Sequence, residues 1–402
     1  TGLCNLAKDS MLGRPLPAQT EVDALHVGRD VAATPGHVVL RKPLFELIQY
    51  QPTTHQVSSL PLVIIPPPLN RFYLLDMTPD TSLVSHAVEQ GLEVFLVSWR
   101  NPNPSHCNWG LEAYALAVDE AVRAACEISG APQATLLGVC AGGLVSLMLQ
   151  GYYAASGVGL LAATSYLVTP IDPRMTTDAT LFAGPRARRA LRNSIWRQGC
   201  LNVSQLAAGF SWLRPEQLIW PHAMQRYLLG QTQDAHPIRF WNQDCTRLPA
   251  QLVDDLIALL EHDPLRYMGG QKVNGVPVDL QRVDTPSWHL GALRDHIVPW
   301  TNCYPSNRLG GDKTFVLCNS GHIQGVVNPP GHPRAWYQRA GVTDADATRW
   351  LETGTRLQGS WWPDWSAWIK SHSGPLRPAP ATPGSTKYSP LQAAPGRYVH
   401  QL

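Results

Sequence analysis

Short apolar runs, bounded by proline or glycine, recur through the first part of the chain. After a β-rich stretch at Val38–Tyr50, they are Pro61–Pro66, Leu92–Ser98 and Ala134–Val139. Runs of this length are typical of strands that a parallel sheet buries on both faces. Two helical patterns, at Thr81–Gln90 and Leu111–Ser129, lie between the runs. Because strands alternate with helices, the pattern predicts βαβ units around a mostly parallel sheet, an α/β fold.

This alternation stops after about residue 170. Residues 171–283 carry helical patterns, such as Pro215–Leu229 and Ala250–Leu260, and no run that predicts a core strand. Strand patterns return at Thr285–Leu293 and Lys313–Leu317. A core that is interrupted in this way predicts an inserted, mainly helical subdomain.

We therefore expect five segments along the chain. Two of them form the α/β core, and the segment between those two forms a cap. The segments are an N-terminal arm (1–34), the first part of the core (35–170), the cap (171–283), the second part of the core (284–372) and a proline-rich tail (373–402). Because the sequence begins with threonine rather than methionine, we expect the arm to be the remainder of a longer N-terminal region.

Composition narrows the range of functions. Of the 402 residues, 44% are apolar, and the net charge is only +2, so we expect no nucleic-acid partner. The longest apolar runs fall well short of the ~20 residues that a transmembrane helix needs, so no transmembrane segment is expected. Eight scattered cysteines without a CxxC pair suggest reduced thiols in a cytoplasmic protein. No P-loop, GxGxxG or metal-spaced histidine motif occurs, so we expect neither a cofactor nor a metal.

The sequence Gly138-Val139-Cys140-Ala141-Gly142 joins a predicted strand to a predicted helix. It has the form of a nucleophile elbow, G-x-nucleophile-x-G, with cysteine in place of serine. The nucleophile of such a turn has strained backbone dihedrals, and glycines two residues away on each side avoid clashes. The helix N-terminus favours a thiolate, and the N–H of Ala141 is expected to donate to an oxyanion. A buried structural cysteine at a glycine-rich turn is the alternative interpretation.

A cysteine nucleophile requires a base and a group that orients the base. In the α/β-hydrolase fold, the order along the chain is nucleophile, acid, histidine. Asp295 follows the strand pattern at 285–293, and His322 follows the next strand pattern, as this order requires. Asp172 is a second candidate for the acid. His296, next to Asp295, has either a supporting role or the role of an ordinary loop histidine.

The loop 66–71 has the sequence PPPLNR and follows the strand that precedes the second oxyanion donor in this fold. Proline fixes the φ angle, so three consecutive prolines make the start of this loop stiff. Asn70 is expected either to brace the loop or to donate directly to an oxyanion. An ordinary rigid turn is the alternative.

With these residues in place, the chain resembles a known family, the polyhydroxyalkanoate (PHA) synthases of class I and class II, which carry a cysteine in a lipase-like box. Further blocks resemble the family in the same order along the chain. They are Thr34–Gly36, Glu46–Thr54, Pro66–Asn70, Val97–Pro102, Phe240–Thr246, Ser320–Ile323, Asn328–Pro330 and Ala394–Tyr398. The resemblance covers nearly the whole chain, as the C-terminal catalytic region of such a synthase.

The resemblance implies an α/β-hydrolase fold with a cap over the active site, a homodimer, and a triad of Cys140, Asp295 and His322, in agreement with the spacing. It implies that 3-hydroxyacyl-CoA is polymerised through an acyl-cysteine into a growing polyester chain. It also implies a cytoplasmic location at the surface of polyester granules. Trp241 matches a cap tryptophan of the family, with a structural or dimer-related role, and His296 matches a supporting histidine.

The resemblance also bears on the substrate. Gln324 resembles the medium-chain branch of the family, whereas Thr169 and Ala141 fit neither branch, so we expect medium-chain or mixed acceptance.

Two other functions stay open: a cysteine hydrolase, such as a thioesterase or lactone hydrolase, and a non-enzymatic protein of the granule surface. A tryptophan cluster at 361–368 is suited to adhesion in the second case, and a C-terminal helix packed on the core is the alternative for this cluster.

Overall fold

The fold is organised around one large mixed sheet. The computed structural model describes residues 1–12, 16–18, 20, 24–174, 184–212, 215–231, 235–342 and 346–402. Within these residues, eleven strands form the large sheet, and the others form three small two-stranded sheets. The strands are β1 (Gly36–Arg41), β2 (Phe45–Tyr50), β3 (Gln56–Ser58), β4 (Leu62–Ile65), β5 (Val94–Trp99), β6 (Ala134–Val139), β7 (Leu161–Leu167), β8 (Cys200–Leu201), β9 (Leu248–Pro249), β10 (Lys272–Val273), β11 (Val276–Pro277), β12 (Ser287–Ala292), β13 (Lys313–Cys318), β14 (Trp336–Gly341), β15 (Thr355–Gln358), β16 (Leu376–Pro378) and β17 (Gln392–Ala393).

Six neighbouring strands in the middle of the large sheet are parallel. They lie in the order β5, β4, β6, β7, β12, β13. Antiparallel strands extend the sheet on both sides, with β2, β1 and β17 beyond β5, and β14 and β15 beyond β13. The predicted mostly parallel sheet is therefore confirmed. Its parallel strands bring all their carboxyl ends to one edge, where loops from distant parts of the chain meet.

Helices account for most of the remaining regular structure. They are α1 (Gly2–Met11), α2 (Leu83–Glu89), α3 (Leu111–Ser129), α4 (Ala141–Ser156), α5 (Pro185–Gln198), α6 (Val203–Trp212), α7 (Pro215–Leu218), α8 (Trp220–Ala223), α9 (Pro237–Gln243), α10 (Ala250–His262), α11 (Trp300–Cys303), α12 (His322–Val326), α13 (Ala347–Thr353) and α14 (Trp362–Ser371). The bounds of β6 and α3 are those that the sequence predicts. None of the described helices is long and apolar enough to cross a membrane.

The two faces of the sheet pack against different helices. Successive residues of a strand point to opposite faces, so Val63 and Ile65 of β4 join one apolar cluster, whereas Leu62 and Ile64 join another. The first cluster includes α3 and α4, and the second includes α2 and α14. This double coverage explains why the central strands are continuous apolar runs rather than alternating ones.

Residues 171–283 are mainly helical where the structure describes them. Their strands, β8 to β11, have two residues each and lie outside the large sheet. The helix predicted over Pro215–Leu229 is divided into α7, α8 and a π-helical turn at Met224–Leu228. Pro221 lacks the N–H that would continue a helix from α7 into α8. The division of the chain into five segments stays a prediction, and parts of the expected arm and cap lie outside the described residues.

The proline-rich segment 373–402 lies along the core. Strand β16 pairs with β3, and β17 pairs with β1 at the edge of the large sheet. Tyr398 is buried, and its N–H donates a 2.9 Å hydrogen bond to the carboxylate of Glu46. The segment therefore contributes strands and buried contacts to the body of the protein, although its composition is that of a tail.

The tryptophan cluster at 361–368 packs on the core, which is one of the two alternatives that the sequence left open. The side chains of Trp361, Trp362 and Trp365 are almost completely buried. The indole N–H groups of Trp361 and Trp362 donate to the carbonyl oxygens of Gly325 and Val326, at 2.7 and 3.1 Å. These carbonyls lie at the end of α12, so the cluster satisfies acceptors that a short helix leaves open.

We predict that Trp361→Ala lowers the free energy of unfolding by about 3–5 kcal/mol, because it leaves a cavity and an unpaired carbonyl. Urea denaturation measures this change. The matched control is Trp212→Ala, since Trp212 is 56% exposed and its loss is expected to cost about 0.5 kcal/mol or less. Equal losses in the two variants would contradict the buried role of the cluster.

Candidate active site

Cys140 lies in a sharp turn between β6 and α4. Its φ angle is +51°, in the region that residues with a Cβ rarely adopt. A Cβ on Gly138 would lie 2.6 Å from the Cα of Gly143, and a Cβ on Gly142 would overlap the carbonyl oxygen of Ile65. The two glycines that flank Cys140 are therefore required by close backbone approach. The turn has the geometry that the G-x-C-x-G pattern predicts.

The position of Cys140 at the start of α4 affects its surroundings. The first N–H groups of a helix have no acceptor within the helix, so those of Ala141 and Gly142 are available to an anion there. The positive end of the helix dipole lies at the same place. The side chain of Cys140 is half-buried. A negative charge on its sulfur, or on an oxygen bonded to an attacked carbon, is therefore stabilised by backbone groups.

Asp295 and His322 meet at the carboxyl edge of the sheet. Asp295 follows β12, and His322 is the first residue of α12 after β13, the parallel neighbour of β12. The imidazole Nδ1 of His322 donates to Asp295 Oδ2 at 2.6 Å. The other carboxylate oxygen accepts the N–H groups of Ile297 and Val298, both at 2.8 Å. These three hydrogen bonds hold the carboxylate, and they leave Nε2 of the imidazole for the nucleophile.

The side chains of His322 and Cys140 line the same cavity, close enough for their charges to interact. Burial by itself lowers the pKa of His322, but the charge of Asp295, the electrostatic interaction with Cys140 and the hydrogen bond to Asp295 raise this pKa to about 10. The surroundings of His322 therefore favour the protonated form of its imidazole. The structure thus brings together the three residues that the sequence analysis selected as nucleophile, acid and histidine.

A cavity of about 440 Å³ opens beside Cys140 and His322. Of the other predicted site residues, Asn70, Trp241 and His296 line this cavity, as does Gln324. Most of the remaining lining is apolar: Pro67, Leu69, Leu74, Val139, Val168, Leu218, Ile238, Ile297, Ile323 and Val326. The cavity therefore suits a substrate with an apolar acyl part.

Asp295 and Ala141 adjoin His322 and Cys140 without lining the cavity, and two further sequence candidates lie apart from it. Thr169 is buried behind the elbow, where its side chain occupies the space that a Cβ on Gly143 would need. Asp172 is engaged by Arg174 and lies 3.6 Å from Arg308, and it is Asp295 that contacts the imidazole of His322.

Arg239 and Arg294 line the cavity but were not selected from the sequence. Arg294 could have been found from its position beside Asp295. Arg239 lies on α9 and reaches the cavity because this helix packs against the loop 66–71. Within the described part of the chain, no group of three or more His, Cys, Asp or Glu side chains is arranged to hold a metal ion.

Fold and geometry define the class of this protein: a protein of the α/β-hydrolase fold whose elbow carries cysteine. Residues 75–329 match the family described as alpha/beta hydrolase fold, and residues 1–87 match the family described as Poly-beta-hydroxybutyrate polymerase (PhaC) N-terminus. The chain belongs to the poly(3-hydroxyalkanoate) polymerase family.

Three relatives support this assignment over the full chain. The chain is 42% identical to poly(3-hydroxyalkanoate) polymerase 2 of Ectopseudomonas oleovorans, covering 99% of this chain and 71% of that protein. It is 39% identical to polymerase 1 of the same organism, covering 100% of this chain and 72% of that protein. It is 38% identical to the polymerase subunit PhaC of Cupriavidus necator, covering 99% and 69%.

We predict that His322 makes the stability of the protein dependent on pH in the alkaline range. Its pKa is higher in the folded protein than its ordinary value of 6.5, so its stabilisation is complete below pH 6.5 and is lost as the pH rises towards about 10. Urea denaturation of the wild type and of His322→Gln across this range measures the effect. The free energy of unfolding should fall more steeply with pH in the wild type, and parallel profiles would contradict the prediction.

Proposed function

We propose that this protein is a polyester synthase, which polymerises 3-hydroxyacyl-CoA into polyhydroxyalkanoate and releases CoA. The observation that carries the proposal is the arrangement at the carboxyl edge of the sheet, where His322 is hydrogen-bonded to Asp295 and lines the same cavity as Cys140. Membership of the poly(3-hydroxyalkanoate) polymerase family supports the choice of substrate class. The roles are nucleophile for Cys140, base for His322 and orienting acid for Asp295.

The first half-reaction loads the enzyme. His322 holds the proton of the Cys140 thiol, and the sulfur attacks the thioester carbonyl of the substrate. The bond between this carbon and the CoA sulfur breaks, and the CoA thiolate leaves with the proton from the imidazolium. One thioester replaces another, so the acyl group stays activated on Cys140.

The second half-reaction extends the chain. The hydroxyl of a second acyl unit, or of the growing chain end, loses its proton to His322 and attacks the acyl-cysteine. The Cys140 sulfur leaves, and an ester replaces the thioester, which drives growth because oxoesters are the more stable. Asp295 either orients His322 or helps to activate the hydroxyl; its contact with Nδ1 supports the orienting role.

Two groups are suited to hold the oxyanion. One is the backbone N–H of Ala141, at the start of α4. A second donor is expected from the loop 66–71, whose three prolines have no N–H to offer. The first candidates of this loop are therefore the N–H groups of Leu69 and Asn70 and the side-chain amide of Asn70, which lies in the cavity wall.

Apolar walls support synthesis over hydrolysis. An acyl-cysteine is hydrolysed if water competes with the hydroxyl of the chain end. The apolar part of the lining, which includes Leu69, Leu74, Leu218 and Ile238, limits the water that can lie against the acyl group. The alternative, a cysteine hydrolase, uses the same triad but releases a free hydroxy acid. The product therefore decides between the two.

The proposal also covers the oligomeric state of the protein, its association with polyester granules and its location in the cell. We expect a homodimer that works in the cytoplasm at the surface of a polyester granule. For Trp241 we propose a structural role within one protomer, because it is almost fully buried and its indole N–H donates to the carbonyl of Arg71 at 2.8 Å. For His296, which lines the cavity, we propose a supporting role.

We predict that Cys140→Ala abolishes CoA release from 3-hydroxyacyl-CoA and polymer formation, because it removes the sulfur that would hold the acyl unit. A thiol assay for CoA and gravimetric or chromatographic analysis of polymer measure both products. Cys4→Ala removes an exposed thiol and serves as control with unchanged activity. CoA release by Cys140→Ala at the wild-type rate would contradict the role of Cys140 as nucleophile. If the wild type forms free hydroxy acid and no polymer, the protein is a hydrolase rather than a synthase.

We predict that the wild type accepts medium-chain substrates, alone or together with short-chain ones, and that Gln324→Ala shifts the preference towards short chains. A small residue at this position is the feature of the short-chain branch, and a change in one wall of a pocket shifts the ratio of kcat/KM values about tenfold. The measurement compares 3-hydroxybutyryl-CoA with 3-hydroxydecanoyl-CoA. Thr169→Ser, which changes no residue of the cavity wall, should leave the ratio as it is; an unchanged ratio in Gln324→Ala would contradict the role of Gln324.

A further inference from the structure

Two walls of the cavity come from different parts of the chain. The loop 66–71, which follows β4, contributes Pro67, Leu69 and Asn70. The facing helix α9 contributes Ile238, Trp241 and further residues. The distance between these walls decides where a substrate carbonyl lies relative to the Cys140 sulfur. The contacts that hold the two walls together therefore matter for the chemistry as well as for stability.

Arg71 and Asp244 form the centre of these contacts. Arg71 directly follows Asn70, and Asp244 directly follows α9. The guanidinium Nε of Arg71 donates to Asp244 Oδ1 at 3.0 Å, and the hydroxyl of Tyr73 donates to Asp244 Oδ2 at 2.8 Å. In return, the indole N–H of Trp241 donates to the backbone carbonyl of Arg71. Both carboxylate oxygens of Asp244 thus accept hydrogen bonds from the segment 71–73, and the backbone of Arg71 accepts one from α9.

Further contacts continue this connection on both sides. The hydroxyl of Thr246 donates to the carbonyl of Pro68 at 3.0 Å, and Asn70 forms a β-bridge with Cys245. The remaining guanidinium nitrogens of Arg71 donate to the carbonyls of Tyr398 and Gln401 in the C-terminal segment. The side chain of Arg71 is only 3% exposed, so each of these acceptors replaces water that the guanidinium has lost.

We infer that Arg71 and Asp244 are positioning residues, whose ion pair fixes the loop that carries Asn70 against the cap helix and so sets the place of the substrate carbonyl. This inference rests on the proposed acyl transfer at Cys140. Arg71 is buried and Asp244 is one quarter exposed, so the pair adds little net stability compared with an apolar pair of the same shape. The planar guanidinium, whose three nitrogens all donate hydrogen bonds, fixes direction and distance. A displacement of about 1 Å at a reacting centre costs about 100-fold in rate.

Three variants and one control test the inference by kinetics. Arg71→Met removes the fork at similar volume, Arg71→Lys keeps the charge without the fork, and Asp244→Asn keeps an acceptor without the charge. Arg377→Met is the matched control, since Arg377 pairs with the buried Glu93 and does not line the cavity. We expect kcat for CoA release to fall about 10- to 100-fold in Arg71→Met, with KM within about twofold. Arg71→Lys and Asp244→Asn should give intermediate values, and the control should keep the wild-type kcat.

A second readout does not depend on the substrate. Alkylation of Cys140 is followed by mass spectrometry of its peptide, with iodoacetamide as a small reagent and a bulky aryl maleimide as a large one. If the cavity walls are loosened, the bulky maleimide should gain access to Cys140. The ratio of the alkylation rate with the maleimide to that with iodoacetamide should then rise about threefold or more in Arg71→Met, and not in Arg377→Met. If Arg71→Met does not fold, Arg71→Lys and Asp244→Asn carry both measurements.

The outcomes separate the two proposals. A wild type that releases no CoA overturns the polyester synthase proposal, and the alkylation ratio then decides by itself whether the pair sets the cavity walls. If the Arg71 and Asp244 variants match Arg377→Met in kcat and in alkylation ratio, the positioning role is wrong and the pair is a structural contact only.

Discussion

The backbone turn at Cys140 is the constraint on which the rest of the site depends. A residue with a Cβ is held at positive φ because its N–H is bonded at 2.9 Å to the carbonyl of Leu167 in β7, while α4 begins at the next residue. Such a conformation persists only where the surrounding structure determines it. Here the conformation is fixed by the pairing of the parallel strands β6 and β7. It also depends on Gly138 and Gly142, which allow other backbone segments to approach the turn closely. The sulfur is thereby presented at a helix N-terminus.

The partners of Cys140 are supplied by a second region of the fold, which is fixed independently. Two backbone N–H groups fix the position of the Asp295 carboxylate. Because the carboxylate is fixed in this way, its hydrogen bond determines the orientation of the His322 imidazole. The short helix that begins with His322 ends on carbonyls that accept from Trp361 and Trp362. The tryptophan cluster at 361–368 thus packs against the helix that carries His322 and helps to hold that helix in place. Stability and chemistry share the same contacts here.

The segment 235–243 supplies one wall of the cavity beside the triad. Its helix α9 faces the loop 66–71 across the cavity, and the pair of Arg71 with Asp244 joins the two. Because Arg71 also bonds to carbonyls of the C-terminal segment, three distant parts of the chain converge on one guanidinium. A planar group with several donors is suited to such a junction, since it fixes direction as well as distance.

Local rules in the sequence determined the strands such as β6, the helix α3, the elbow around Cys140 and the order of acid and histidine, because these depend on residues close together in the chain or on a regular alternation. The break in the helix expected over 215–229 could have been predicted from Pro221. The sequence did not determine that the proline-rich segment adds strands to the core. Nor did it reveal Arg239 in the cavity or the pairing of Arg71 with Asp244. Such contacts join residues more than a hundred positions apart, and only the packing of the folded chain brings them within bonding distance.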